Sequence, residues 1–150
     1  EAEEKAVVIM YASMYGDTAS AADALAGALS ERGIRKIEVY DVSNTHVSEL
    51  ISEIFRASHL VFAAPTYNGG IYPVMENLLS DMKALAVQKK TVALMENGTW
   101  AAMAAKQMRE KLSELKEVTV LDTQVTIKSA MLADQRAELE AFADAIVQTM

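Results

Sequence analysis

Three short segments gather the residue types that can hold a phosphate and a flat heteroaromatic ring. The first is Ser13-Met14-Tyr15-Gly16-Asp17-Thr18, set between an apolar run and a helical pattern. The Ser13 and Thr18 hydroxyls can donate hydrogen bonds to a phosphate, and Gly16 lets the backbone come close. The free N–H groups of the following helix would point at the same anion. An ordinary helix cap by Asp17 or Thr18 uses the same residue types.

The second segment, Pro65-Thr66-Tyr67-Asn68-Gly69-Gly70-Ile71-Tyr72, packs aromatics, an amide and paired glycines into one connection. Glycines allow positive φ or a peptide flip at low cost. That suits a redox-active ring whose N5 takes up a proton and changes its hydrogen bond, with the Asn68–Gly69 peptide as its partner. A turn with its aromatics packed on the helix below is the plainer alternative. The third segment, Glu96-Asn97-Gly98-Thr99-Trp100, carries the only tryptophan. Its neighbours can donate to a heterocycle edge while Trp100 stacks on or flanks the ring; a half-buried structural tryptophan would look the same.

These segments must be positioned by the elements around them. Ala6 to Ala12 is a continuous apolar run, the pattern of a strand buried on both faces. Ala19 to Arg32 follows with Ala22, Leu25, Ala26 and Leu29 on one helical face, and Gly33 is placed to stop it. Ile37 to Val42 reads as a strand, and Val47, Leu50, Ile51, Ile54 and Phe55 as a helix. Leu60 to Ala64 is a third strand, ended by Pro65. Pro73 opens a helix that buries Val74, Leu78, Met82 and Leu85. Thr91 to Met95, Ala101 to Leu115 and Val118 to Ile127 give strand, helix and strand, and Leu139, Phe142, Ala143 and Ile146 mark a closing helix.

Strands alternating with helices through right-handed crossovers predict an α/β fold: a doubly wound, five-stranded parallel sheet of order 2-1-3-4-5 with helices on both faces. In such a sheet a ligand lies outside the carboxyl ends of the strands at the switch point, here between the first and third strands. All three segments fall at that edge.

The chain has 150 residues, the size of one domain, with residues 6–150 forming it and 1–5 a polar lead-in. The start at Glu1 suggests a domain cut from a longer protein or processed at its end. A formal charge of −7 argues against sequence-independent nucleic-acid binding, which needs clustered lysine and arginine. No apolar stretch is long enough to span a membrane. The absence of cysteine removes disulfides, thiolate metal sites and iron–sulfur clusters. With no leader sequence, a soluble, cytoplasmic protein is expected.

The segments at 11–19 (YASMYGDTA), 64–79 (APTYNGGIYPVMENLL) and 95–101 (MENGTWA) closely resemble the flavodoxin-like domain of flavodiiron proteins, also called A-type flavoproteins. The resemblance implies FMN as cofactor. Its phosphate would be held by Ser13, Met14, Tyr15, Gly16, Asp17 and Thr18. The isoalloxazine would be bounded by Pro65, Thr66, Tyr67, Asn68, Gly69, Asn97, Gly98 and Trp100. In that family the domain follows a metallo-β-lactamase-like di-iron domain that reduces oxygen or nitric oxide, and FMN feeds electrons to the iron, usually in the partner of a head-to-tail dimer. The resemblance therefore implies an electron-donor protein such as a rubredoxin or a flavin/NADH reductase as partner, and leaves room for a homodimer.

The H-x-E-x-D-H ligand run of the lactamase-like domain is absent. His46 and His59 flank a helix without carboxylates at a binding spacing, so they are read as structural or exposed. No catalytic residue and no metal ligand is assigned. One departure from the family is Asp17, where asparagine is usual; it is expected to cap its helix and cost little.

A free-standing flavodoxin would use the same loops, although TYNGG and ENGTW disfavour it. An NAD(P)H-dependent flavin or quinone reductase would need an open ring face. A two-component phosphoacceptor needs an aspartate at the end of the third strand, where Ala63-Ala64-Pro65 stands. Neither G-x-x-x-x-G-K-[ST] nor G-x-G-x-x-G occurs.

Overall fold

A computed structural model of the chain describes residues 4–12, 17–67, 70–71, 73–97, 104–127 and 133–150. Its elements run β1 (Glu4–Tyr11), α1 (Asp17–Glu31), β2 (Ile37–Asp41), α2 (Val47–Arg56), β3 (Ala57–Tyr67), β4 (Gly70–Ile71), α3 (Pro73–Ala84), β5 (Thr91–Asn97), α4 (Ala104–Leu112), β6 (Thr119–Ile127) and α5 (Ala133–Val147). The main sheet has the order β2-β1-β3-β5-β6, all pairs parallel, which is the expected 2-1-3-4-5 once the short β4 is set aside.

Alternate residues of each central strand feed two separate cores. Val8, Met10, Leu60, Phe62, Val92 and Leu94 face α2, α3 and α4; Val7, Ile9, Val61, Ala63, Ala93 and Met95 face α1 and α5. Both faces are therefore apolar, which is why these strands read as continuous rather than alternating runs. Phe62 and Phe142, one in each core, are the bulkiest fully buried side chains among the described residues.

Helix ends follow local chemistry. At the end of α1, Gly33 takes φ 90°, with Gly33 N–H donating to Ser30 C=O and Ile34 N–H to Leu29 C=O, the paired bonds of a Schellman stop. The same pattern ends α3 without a glycine: Ala86, at φ 56°, donates to Lys83 C=O and Val87 to Met82 C=O. His46 caps α2, its Nδ1 accepting from Ser48 N–H at 3.1 Å.

Several boundaries differ from the sequence expectation. β3 runs through Pro65 to Tyr67 instead of stopping at Ala64. Ala63 C=O accepts from Ala12 N–H, so Pro65, two residues on, turns its missing donor toward the same side, past the last residues of β1. α4 stops at Leu112 rather than Leu115 because its bonds tighten to the three-residue spacing, Glu114 N–H to Lys111 C=O and Leu115 N–H to Leu112 C=O. The strand β4, pairing antiparallel with β3, was not expected.

β6 is an edge strand and carries an irregularity between Val120 and Gln124. Arg109 Nη2 stitches it, donating to Leu121 C=O at 3.0 Å and to Gln124 Oε1 at 2.9 Å. A bulge of this kind bends an edge away from further pairing.

Candidate functional site

The chain's direction reverses about β1 and β3: α1 leaves β1 toward one face of the sheet, and α3 leaves β3 toward the other. That divergence opens a crevice at the carboxyl ends of the strands. Tyr11 of β1 lies opposite Ala63 of β3, and Pro65 of β3 opposite Asn97 of β5. Adjacent strands lie about 4.8 Å apart, so the three ends sit within roughly 10 Å of one another.

The expected site residues fall on or between these ends. Asp17 and Thr18 are the first two residues of α1, Pro65, Thr66 and Tyr67 the last of β3, and Asn97 the last of β5. Ser13, Met14, Tyr15, Gly16, Asn68, Gly69, Gly98 and Trp100 lie outside the described residues. Each of them belongs to a connection that leaves the sheet at this one edge.

The described flanks fit a phosphate and a ring. α1 opens at Asp17, directly after the hydroxyl-bearing segment, so its first-turn N–H groups and the positive end of its dipole meet the crevice. Ala12, Ala63 and Ala64 close the core beneath, all fully buried and all small. Tyr67 pairs with Gly70, so only Asn68 and Gly69 stand between the antiparallel strands β3 and β4. Asn-Gly is the dipeptide most favoured at such a two-residue connection. That signal lay in the sequence and identifies β4, although a two-residue strand has no periodicity of its own.

Two side chains near the edge have surroundings to which the sequence reading assigned no role. Tyr11, half-buried at the end of β1, has its hydroxyl pKa raised by burial first and then by the Asp41 and Asp23 carboxylates. Glu96 is buried, 5% exposed, on β5. Its Oε1 accepts from Ala105 N–H at 3.0 Å and its Oε2 from Thr126 Oγ1 at 2.7 Å. Among the described residues no group of three or more acidic or histidine side chains could hold a metal ion. His59 is instead tied to Ser58 and Thr149, at the opposite end of β3. No helix of the described residues is long and apolar enough to cross a membrane.

Residues 9–143 match the profile of the family described as Flavodoxin. An uncharacterized protein of Methanocaldococcus jannaschii is 28% identical over 123 residues, which cover 82% of this chain and 31% of that protein. The structure of rubredoxin oxygen:oxidoreductase from the anaerobe Desulfovibrio gigas matches with a TM-score of 0.91 at 26% identity, over 99% of this chain and 36% of that one. An oxidised flavodoxin from Bacillus cereus has the same fold, with a TM-score of 0.81 at 21% identity over 97% of this chain and 99% of its own. The chain thus spans about a third of the length of the first curated relative (31%). It resembles the flavodoxin-like parts of flavodiiron proteins, and FMN is the cofactor that this family and fold bind.

Proposed function

The chain belongs to the flavodoxin family, and on that premise we propose that it is the FMN-binding electron-transfer domain of a flavodiiron-type oxygen or nitric oxide reductase. Residues 6–150 are that domain in this reading, and its first strand reaches back to Glu4. The observation that supports this choice is the match to rubredoxin oxygen:oxidoreductase, whose TM-score of 0.91 exceeds the 0.81 of the free-standing flavodoxin. The TYNGG and ENGTW segments point the same way.

FMN, when bound, stores and passes on the electrons. The protein binds and orients it. Ser13 and Thr18 would donate to its phosphate, together with the backbone N–H groups of Met14, Tyr15 and Gly16 and the opening turn of α1 that Asp17 begins. Pro65, Thr66 and Tyr67 at the end of β3, and Asn97, Gly98 and Trp100 at and after the end of β5, would border the ring. The Asn68–Gly69 peptide would be the backbone partner of the ring, its glycine allowing the peptide to present either its carbonyl or its N–H. No side chain acts as nucleophile or general base.

Electrons arrive from a rubredoxin or a flavin/NADH reductase in the cytoplasm. They leave toward a lactamase-like di-iron domain, brought near by dimerisation. The chain alone therefore turns over neither oxygen nor nitric oxide at physiological rates. Stopped-flow mixing of the FMN-loaded chain with reduced rubredoxin tests the assignment: rapid flavin reduction with no gas consumption is expected. Failure of rubredoxin to reduce the flavin, with ready reduction by a flavodoxin reductase, would favour a free-standing carrier. That second reading draws on the 99% coverage of the Bacillus cereus chain.

A further inference from the structure

Glu96 is one of the few charged side chains buried among the described residues, and its two oxygens tie its own strand to two other elements at once. It sits on β5 beside the final residue, Asn97. Oε1 accepts from the N–H of Ala105, the second residue of α4. That amide is one of the four first-turn donors with no partner inside their own helix. A side chain immediately before a helix usually satisfies such a donor. Here the acceptor comes from a strand nine positions upstream. Oε2 accepts from Thr126 Oγ1 on β6, at the position paired with Glu96 across the sheet.

The consequence is topological. The connection 98–103 leaves the sheet at Asn97, the residue after Glu96, and the described structure resumes at Ala104, one residue before the amide that Glu96 binds. One carboxylate thus ties both ends of that connection together and anchors them to the neighbouring strand. We propose that Glu96 is the positioning residue for the third flavin loop, fixing relative to each other its two described ends, the close of β5 and the start of α4. This rests on the FMN reading above. Glu96 acts through the loop and touches no reacting atom. A buried carboxylate with both oxygens bonded is costly to leave half-satisfied, so its removal loosens the loop ends rather than simply deleting a contact.

The test compares FMN dissociation constants, by flavin fluorescence titration, for the wild-type chain, Glu96→Ala, Glu96→Gln and Thr126→Val. Glu96→Ala is expected to weaken FMN at least tenfold. Glu96→Gln keeps an acceptor for Ala105 N–H and offers an amide to Thr126 Oγ1, so it should bind within threefold of wild type. Thr126→Val, which loses one of the two bonds and keeps the strand-forming shape, should fall between, and it carries the test if Glu96→Ala does not fold. Phe142→Leu, in the core on the other face of the sheet, controls for lost stability: matched in melting temperature, it should leave the constant within threefold. Trp100, the only tryptophan, gives a readout without flavin, since its emission should shift in Glu96→Ala and not in Phe142→Leu. A folded Glu96→Ala or Thr126→Val chain that binds FMN as wild type does would overturn the assignment to Glu96. A wild-type chain that retains no FMN would instead overturn the functional reading on which it rests.

Discussion

Asp17 opens α1, the helix whose positive end would face the FMN phosphate. Replacing it with asparagine removes one negative charge while keeping a side chain of the same shape that could equally meet the helix's free N–H groups. One turn of helix is about 5.4 Å. Over that distance Coulomb's law in water, with a dielectric of about 80, gives ~1.5 kcal/mol of repulsion between a carboxylate and a dianion. At 0.15 M salt the Debye length of about 8 Å roughly halves this to about 0.8 kcal/mol, or about fourfold in affinity. At 0.01 M, with a Debye length near 30 Å, about 1.3 kcal/mol survives, or roughly ninefold. Asp17→Asn should therefore tighten FMN about fourfold at the higher salt and about ninefold at the lower. Its stability should change by less than about 1 kcal/mol, the worth of one charge at a helix end. Fluorescence titration at both ionic strengths measures the pair of constants. A gain well above tenfold at 0.15 M would place the carboxylate against the phosphate in a dry site and refute the capping argument. A loss of affinity would show that the carboxylate helps to bind.

Ala86→Gly should raise the melting temperature by about 1–4 °C: the left-handed φ of 56° costs alanine about 1–2 kcal/mol, and glycine's extra unfolded-state entropy returns about half of that. Gly33→Ala, at φ 90°, should lower the temperature by a similar amount in the same calorimetric assay. Burial holds His59 below its ordinary pKa of 6.5, with Lys5 adding to the shift and a Thr149 hydrogen bond opposing it. Because the unfolded chain then binds the proton more readily, this contribution is complete above pH 6.5 and is lost as pH falls below it. Denaturant melts at pH 7.5 and 5.5 should show a stability loss that His59→Gln reduces; an equal loss in both proteins would contradict the assignment. Gly69→Val should hinder the peptide turn beside N5 and change the separation of the two one-electron midpoint potentials of bound FMN, and unchanged potentials would dismiss that peptide as the tuning group.

Much of the fold was legible because both faces of the central strands are covered. Ala6 to Ala12 and Leu60 to Ala64 had to be apolar at every position, and no other common arrangement produces such runs between amphipathic helices. The switch point, and with it the edge that gathers the three connections, follows from that alternation alone. What stayed hidden depends on contacts distant in sequence. A glutamate at the end of a strand reads as solvated; only α4 and β6 closing over Glu96 make it internal. Lys90 is likewise buried because Phe55 C=O and Ala57 C=O accept from its ammonium, which no local pattern announces. The left-handed turns at Ala86, Lys89 and Glu117 carry residues that give no hint of positive φ. Pro65 misled in the other direction: as a breaker it seemed to end β3, whereas its missing donor faces past the end of β1.

The most direct test of an FMN-binding electron carrier is an absorption spectrum of the purified chain after FMN is added and the excess removed, followed by anaerobic reductive titration. One flavin retained per chain, bleached on reduction and restored on reoxidation, is the predicted result. A chain that retains no flavin at micromolar concentration, or holds one that cannot be reduced, would contradict it.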